Sequence, residues 1–350
     1  MPLLRPVTFG AHVALGAEFV EEAGWLRPGH YRTVEEEVSA ARRTPVVHDL
    51  VGHGVFSLVG PDARRFCNGM FTQNVRDMAV GATARSALTD EKGKMLGLVQ
   101  VARTGDEAIL VVLDGISAGD FASRYGKYII LDDVELEDLS EDRAVFHLGG
   151  PGVGQALATL ALPVVAPGGV ALAGEIVALS RERGAGEGVD LVVPVAAAVA
   201  TWEAIRGAGV VPVGFDAMEW LRVSAGHARW PVDMGERALV HEMNLVASCC
   251  SFEKGCYVGQ EVINRIDVMG QVNKKILGLA MGSDAIPPLG AEVKRGDEVV
   301  GVARSGARCG GQARVLALLR KSAWEAGTEV EVHAAGRAVV AVVSALPFGD

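Results

Sequence analysis

Ser251-Phe252-Glu253-Lys254-Gly255-Cys256-Tyr257-Val258-Gly259-Gln260-Glu261 is the most informative stretch of this 350-residue chain. It sets a thiol two residues after a lysine and between two glycines. A nearby cation favours the thiolate, and an open backbone exposes the sulfur. Cys256 therefore reads as a nucleophile or redox centre, with Lys254 biasing it toward the charged form. The opposing reading is a structural cysteine, since free cysteine is among the most buried residue types. Lys254, Gln260 and Glu261 make a wholly apolar setting a poor fit.

The chain changes texture just beyond this stretch. From about residue 273 it runs as ILGLAM (276–281), AEVKRGDEVVGVARSG (291–306), RVLALLRK (314–321) and TEVEVHAAGRAVVAVVSA (328–345). Short β-prone runs punctuated by Gly, Pro and Asp predict a small all-β barrel or sandwich.

Upstream, helices and strands mix without a strict βαβ beat, which predicts α+β layers. Residues 34–43, VEEEVSAARR, put acids first and arginines last as a helix dipole favours, with Pro45 as a stop. An alternating run from Val46 through Val55, Ser57 and Val59 reads as strand up to Gly60-Pro61-Asp62, where Asp62 can cap a new helix. Strands are predicted at 83–89, 94–102, 107–113 and 143–149, and a helix near 117–128. Strands near 175–181 and 189–195 and helices near 195–207 and 215–226 follow. The expected division is an N-terminal extension and helix over 1–44, a first α+β unit over 45–142, a second over 143–272 carrying the cysteine motif at its end, and the barrel over 273–350. Residues 1–33 offer no usable pattern.

The longest apolar stretch, Leu191 to Trp202, is interrupted by Pro194 and is too short to span a bilayer, which takes about 20 apolar residues. The first residues lack a basic stretch followed by an unbroken apolar run, so a cytoplasmic address is expected. Five cysteines are an odd number for a disulfide framework and point to reduced thiols. Cys249, Cys250 and Cys256 lack the spaced pair that zinc or iron–sulfur ligation prefers, and no metal site is assigned. The net charge of −10, without a basic stripe interleaved with aromatics, speaks against direct nucleic-acid binding. Gly149-Gly150-Pro151-Gly152-Val153-Gly154 lacks the third glycine of a dinucleotide fingerprint and reads as a turn. Arg222, Arg229, Trp230 and Asp233 fall close together. Arginine offers a planar fork for carboxylates and tryptophan a flat face for a stacked ring.

Lys254-Gly255-Cys256-Tyr257-Val258-Gly259-Gln260-Glu261 resembles the diagnostic motif of YgfZ-type proteins, folate-binding factors linked to iron–sulfur cluster assembly and repair and to tRNA modification. Residues 48–75, 88–97, 183–194 and 221–226, with Leu346-Pro347-Phe348, resemble the wider superfamily of the glycine-cleavage T-protein, a tetrahydrofolate-dependent aminomethyltransferase. The resemblance implies a three-domain ring, two α/β sandwich-like units plus a C-terminal β-barrel, whose first two domains interweave. It also implies a central channel for tetrahydrofolate or a one-carbon-substituted folate. Iron–sulfur client enzymes or cluster-assembly proteins would be its partners. By the same resemblance Gly186-Glu187-Gly188 corresponds to a turn whose glutamate meets the pterin edge, one residue shorter here. Arg222 corresponds to a folate-contacting arginine; with folate as the ligand, Trp230 is a candidate ring contact by its flat face, and Lys274 and Lys275 are weaker candidates for the glutamyl tail.

One departure matters for activity. The aminomethyltransferases carry an Asp pair where this chain has Gly97-Leu98, so the carboxylate that assists transfer is absent. General acid–base assistance contributes on the order of 10²–10⁴-fold. Asp90 and Glu91 are the nearest alternatives and read as turn residues. A folate-binding factor, a folate-dependent one-carbon transferase and a ligand-free scaffold all stay open at this point.

Overall fold

A computed structural model describes residues 3–270, 272–334 and 336–349. Its strands fall into a two-stranded hairpin, a six-stranded sheet, a five-stranded sheet and a closed six-stranded barrel. The five-stranded sheet runs Thr83–Thr89, Met95–Arg103, Ala108–Asp114, Val55–Val59, Glu135–Asp138 in spatial order. The six-stranded sheet runs Val170–Ala173, Ile176–Ser180, Gly188–Pro194, Arg143–Gly149, Val46–Asp49, Val211–Pro212. Only the last pair of that sheet is parallel. The barrel occupies Lys274–Met281 to Arg337–Ser344 and fills with Val, Leu and Ala side chains. The expected α+β class with a terminal barrel is what the chain adopts.

Two expectations are corrected. The alternating run 46–59 is not one strand: Val46–Asp49 pairs with Arg143–Gly149, whereas Val55–Val59 pairs with Ala108–Asp114 and Glu135–Asp138. Alternation marks extended backbone but carries no address, and the turn at 50–54 passes the chain from one sheet to the other. The linear boundary at 142/143 therefore does not separate the sheets. Likewise the motif-bearing end of the expected second unit packs on the first. Trp230, Leu245, Cys249, Tyr257 and Ile263 share a core with Phe66, Phe71, Leu88 and Leu98 of the five-stranded unit.

The helix expected over 34–43 spans Val34–Ala41 and begins at a capping box, with Thr33 accepting from the Glu36 amide and Glu36 accepting from the Thr33 amide. The turn at 149–154 is confirmed as a turn. Gly150 takes φ +90°, and a β-carbon there would sit 2.6 Å from the Thr44 carbonyl oxygen. Only glycine fits so close an approach.

Residues that carried no sequence signal prove structural. The strands Glu18–Glu22 and Trp25–His30 form a hairpin. Thr8 donates to Asp49 at 2.5 Å, His12 Nε2 lies 3.0 Å from the same carboxylate, and Tyr31 Oη lies 2.9 Å from His12 Nδ1. Glu37 is buried and accepts from the amides of Tyr31, Arg32 and Gly214, at 2.6, 3.1 and 2.7 Å. That carboxylate thereby ties the hairpin, the first capped helix and the helix Phe215–Ser224 together, which sets the position of Arg222.

Candidate functional site: a cavity lined with paired arginines

The two sheets meet around a cavity of about 460 Å³, and a smaller chamber of about 100 Å³ shares Arg85, Arg181, Glu182, His227 and Ala228 with it. The walls come from strands of both sheets, one helix and the segments that follow them. Arg85 and Gln100 stand on neighbouring strands of the five-stranded sheet, Asp114 closes the strand Ala108–Asp114, and Arg181, Glu182 and Arg183 follow Ile176–Ser180. Helix Phe215–Ser224 supplies Glu219 and Arg222, and the segment after it supplies His227 and Arg229.

Asp114 is the hub. It accepts from Arg181 at 2.6 Å and Arg183 at 3.3 Å, and lies 3.5 Å from Arg85 and 3.8 Å from His53. Burial opposes its ionisation, but Arg181, Arg183 and Arg85 outweigh that and hold its carboxyl well below the usual range. Arg183 also grips Asp190 through Nε at 3.0 Å and Nη2 at 2.7 Å, and His147 Nδ1 lies 2.8 Å from that carboxylate. Burial and the neighbouring Arg85 draw Arg181 down to about 10. Three guanidinium groups thus face two carboxylates, and the Nε atoms of Arg85 and Arg181 are buried without a hydrogen-bond partner among the described residues. A buried donor left unmade costs about 1–3 kcal/mol.

Arg222 is present at this site, but its fork is spent on the protein. It donates to Glu219 at 2.7 and 2.5 Å, to the His227 carbonyl at 2.9 Å and to Asp233 at 2.9 Å. The sequence grouping of Arg222, Arg229 and Asp233 is realised, since the Arg229 amide also donates to Asp233 at 2.8 Å. Trp230 is buried in the core of the five-stranded unit and presents no face to either chamber.

Other sequence candidates lie elsewhere. Glu187 is exposed and lines neither chamber; only its main-chain oxygen is engaged, accepting from Gly150 N at 3.1 Å. Lys274 is exposed on a barrel strand, and the Lys275 ammonium sits 4.8 Å over the Trp324 ring.

Cys256 is exposed, as its glycine setting predicted, yet it lines neither chamber. Its loop is clamped on the end of helix Ala63–Met70: Val258 N donates to the Gly69 carbonyl at 3.1 Å, and Thr89 Oγ1 donates to the Val258 carbonyl at 2.7 Å. Lys254 does not serve Cys256. Its ammonium turns inward and donates to the carbonyls of Phe71 and Gln73 at 2.5 and 2.7 Å, 4.7 Å from the Tyr257 ring centroid. Burial pushes it down to about 7, and the thiols that face it are Cys250 and Cys67. Two strong acceptors inside the fold outcompete an exposed thiol for the cation.

Leu98 is fully buried in the sheet core, and a β-carbon at Gly97 would meet Ile116 at 3.1 Å. Asp90 accepts from the amides of Lys92 and Lys94 at 2.9 and 2.8 Å through one oxygen, closes the turn and lines neither chamber.

Sequence reasoning missed Arg85, Asp114, Arg181, Glu182 and His227. Scattered over more than 140 positions, they share no spacing, and the one local signal was the charged run Arg181-Glu182-Arg183 between a strand and a glycine turn.

An interwoven pair of α/β sheets, a closed barrel and a charged cavity at their junction define a T-protein-like folding class. Residues 8–254 match the GCVT N-terminal domain family and residues 274–350 the glycine cleavage T-protein C-terminal barrel domain family. The chain belongs to the glycine cleavage T-protein family. It is 27% identical to an aminomethyltransferase of Rubrobacter xylanophilus, covering 99% of this chain and 94% of that one. It is 29% identical to an aminomethyltransferase of Thermotoga petrophila, covering 98% and 97%. The crystal structure of glycine cleavage system aminomethyltransferase T from Bartonella henselae superposes with a TM-score of 0.91 at 20% identity, covering 99% of this chain and 98% of that one. Among the described residues no helix is long and apolar enough to cross a membrane.

Proposed function

We propose that this chain binds tetrahydrofolate or a one-carbon-substituted folate in the central cavity and, as a cytoplasmic YgfZ-type factor, supports iron–sulfur client enzymes or their cluster-assembly partners. The observation that carries the folate reading is that two guanidinium groups, Arg85 and Arg181, line a chamber of about 460 Å³. That volume falls within the range of small-molecule sites, roughly 300–1,000 Å³. The donors suit the carboxylates and ring carbonyl of a folate, and Glu182 is an acceptor for its ring N–H groups. Bound there, the folate would supply a one-carbon carrier. Arg85 and Arg181 would orient it, and the Asp114 hub would hold both arginines in place.

The iron–sulfur part rests on the Lys254–Glu261 motif and on the exposure of Cys256 outside the cavity. That position suits contact with a partner protein better than chemistry on the folate.

A second reading, a folate-dependent aminomethyltransferase, draws on the full-length likeness to aminomethyltransferases. The Gly97-Leu98 replacement stands against it. Calorimetric titration with tetrahydrofolate tests the shared part: binding should weaken at least tenfold in Arg85→Ala and stay unchanged in Glu187→Ala. No binding to the wild type would end the folate reading. Turnover of an aminomethylated lipoyl carrier, set beside rescue of iron–sulfur enzyme activity in cells lacking the native copy, separates the two roles.

A further inference from the structure

The cavity holds a pair of groups able to move a proton. His227 Nε2 lies 3.2 Å from Glu182 Oε2, and both residues line both chambers. The other cavity acids are committed. Asp114 is held by arginines on several sides, and Glu219 accepts from Arg222 and lies 3.2 Å from Arg229. Glu182 has no guanidinium partner among the described residues; its second oxygen accepts from the Gly184 amide. The pair is also held in place. The His227 amide donates to the Arg222 carbonyl at 2.9 Å, and the His227 carbonyl accepts from Arg222 Nη1 at 2.9 Å.

We propose that His227 and Glu182 form an acid–base pair facing the ligand cavity, with His227 exchanging a proton with an amine nitrogen of a bound reduced folate. This inference rests on the folate reading above. In the step, an N–H bond of the protonated ligand amine breaks, a new N–H bond forms on the unprotonated imidazole nitrogen, and the amine is left neutral. The electron pair of the broken bond stays on the ligand nitrogen, and the Glu182 carboxylate balances the imidazolium charge. No oxidant or second reactant is needed. The groups facing His227 set its direction: burial disfavours the imidazolium, Glu182 favours it, and Arg85 from the five-stranded sheet, Arg181 beside Glu182 and Arg222 from the helix disfavour it. The ring is therefore held neutral below its ordinary range, ready to accept a proton, with Glu182 the one acid acting in its favour.

Two measurements on the full chain decide the matter. Titration of the His227 ring resonances by NMR should place its pKa below that of an exposed histidine, and Glu182→Gln should lower it further. Calorimetry with tetrahydrofolate in buffers of different ionisation enthalpy should show proton uptake or release on binding. His227→Gln should abolish that linkage, whatever its effect on folate affinity. Unchanged proton linkage in His227→Gln, or an unchanged His227 pKa in Glu182→Gln, overturns the pair. If wild-type protein binds no folate at all, the folate reading falls by itself and the NMR titration alone decides the pair.

Discussion

Arg222 donates across 2.9 Å to Asp233, a carboxylate with no exposure to solvent. The other oxygen of Asp233 accepts from the Ser305 amide in the barrel at 2.8 Å. One carboxylate thus joins the cavity helix to the barrel. Removing one member of a buried ion pair costs about 3–5 kcal/mol because the partner charge is left uncompensated. Asp233→Ala should lose about that much in urea unfolding, and Arg222→Ala a comparable amount. A loss below 1 kcal/mol in both would show the pair to be dispensable. Weakened ligand binding in Arg222 variants must therefore be read beside their stability.

Acid should weaken the fold through the arginine hub. Asp114 and Asp190 are both held below their ordinary pKa, with burial opposing and Arg181 and Arg183 respectively prevailing. A carboxylate depressed in the folded state contributes stability that is complete above its unfolded pKa of about 3.9 and lost as pH falls toward the folded value. Thermal unfolding followed between pH 6 and pH 2.5 should show a fall beginning near pH 4, smaller in Asp114→Asn. A flat profile across that window contradicts the assignment.

Lys254 has the same sign of dependence in a higher pH window. Its folded pKa of about 7 lies below the unfolded value of about 10.4, so the unfolded chain binds more protons between these limits. The contribution of Lys254 to stability therefore rises with pH from about 7 to about 10. Lys254→Met should flatten that rise in denaturation curves taken at pH 7, 8.5 and 10. A slope identical to wild type would place the proton elsewhere.

Thiol reactivity should be graded by position. Cys256 is exposed, whereas Cys67 and Cys249 are buried and burial pushes Cys250 up to about 12. A disulfide reagent at pH 8 should consume one thiol quickly, and Cys256→Ser should remove that phase. The Cys67 and Cys249 thiols should react only on unfolding.

Restoring the missing acid should prove costly. Gly97→Asp places a β-carbon 3.1 Å from Ile116, and overpacking of this kind costs about 1–3 kcal/mol. Gly97→Asp combined with Ile116→Val should recover part of the loss in melting temperature. Full tolerance of Gly97→Asp alone would mean that Ile116 yields freely.

Much of the local structure was legible because its causes are local. The strands Thr83–Thr89, Met95–Arg103 and Ala108–Asp114, the helix Phe215–Ser224 and the barrel texture follow from hydrophobic period and turn residues. The site was legible only in part. Of the residues the motifs singled out, Arg222 lines the cavity and Cys256 lies outside it, and the motifs do not say that the fork of Arg222 is already filled or that Lys254 faces away from Cys256.

The order of apolar and polar residues determined the α+β class, the terminal barrel and the exposure of the Cys256 loop, since period, turn chemistry and glycine placement act over a few residues. Tertiary structure alone decided which sheet receives Val46–Asp49, how Thr8, His12 and Tyr31 come to serve Asp49, and how Arg85, Asp114, Arg181, Glu182 and His227 converge on one cavity. Pairing partners and buried charges answer to neighbours far along the chain. A charge acquires its direction and its proton affinity only when burial and its opposite charge are both in place.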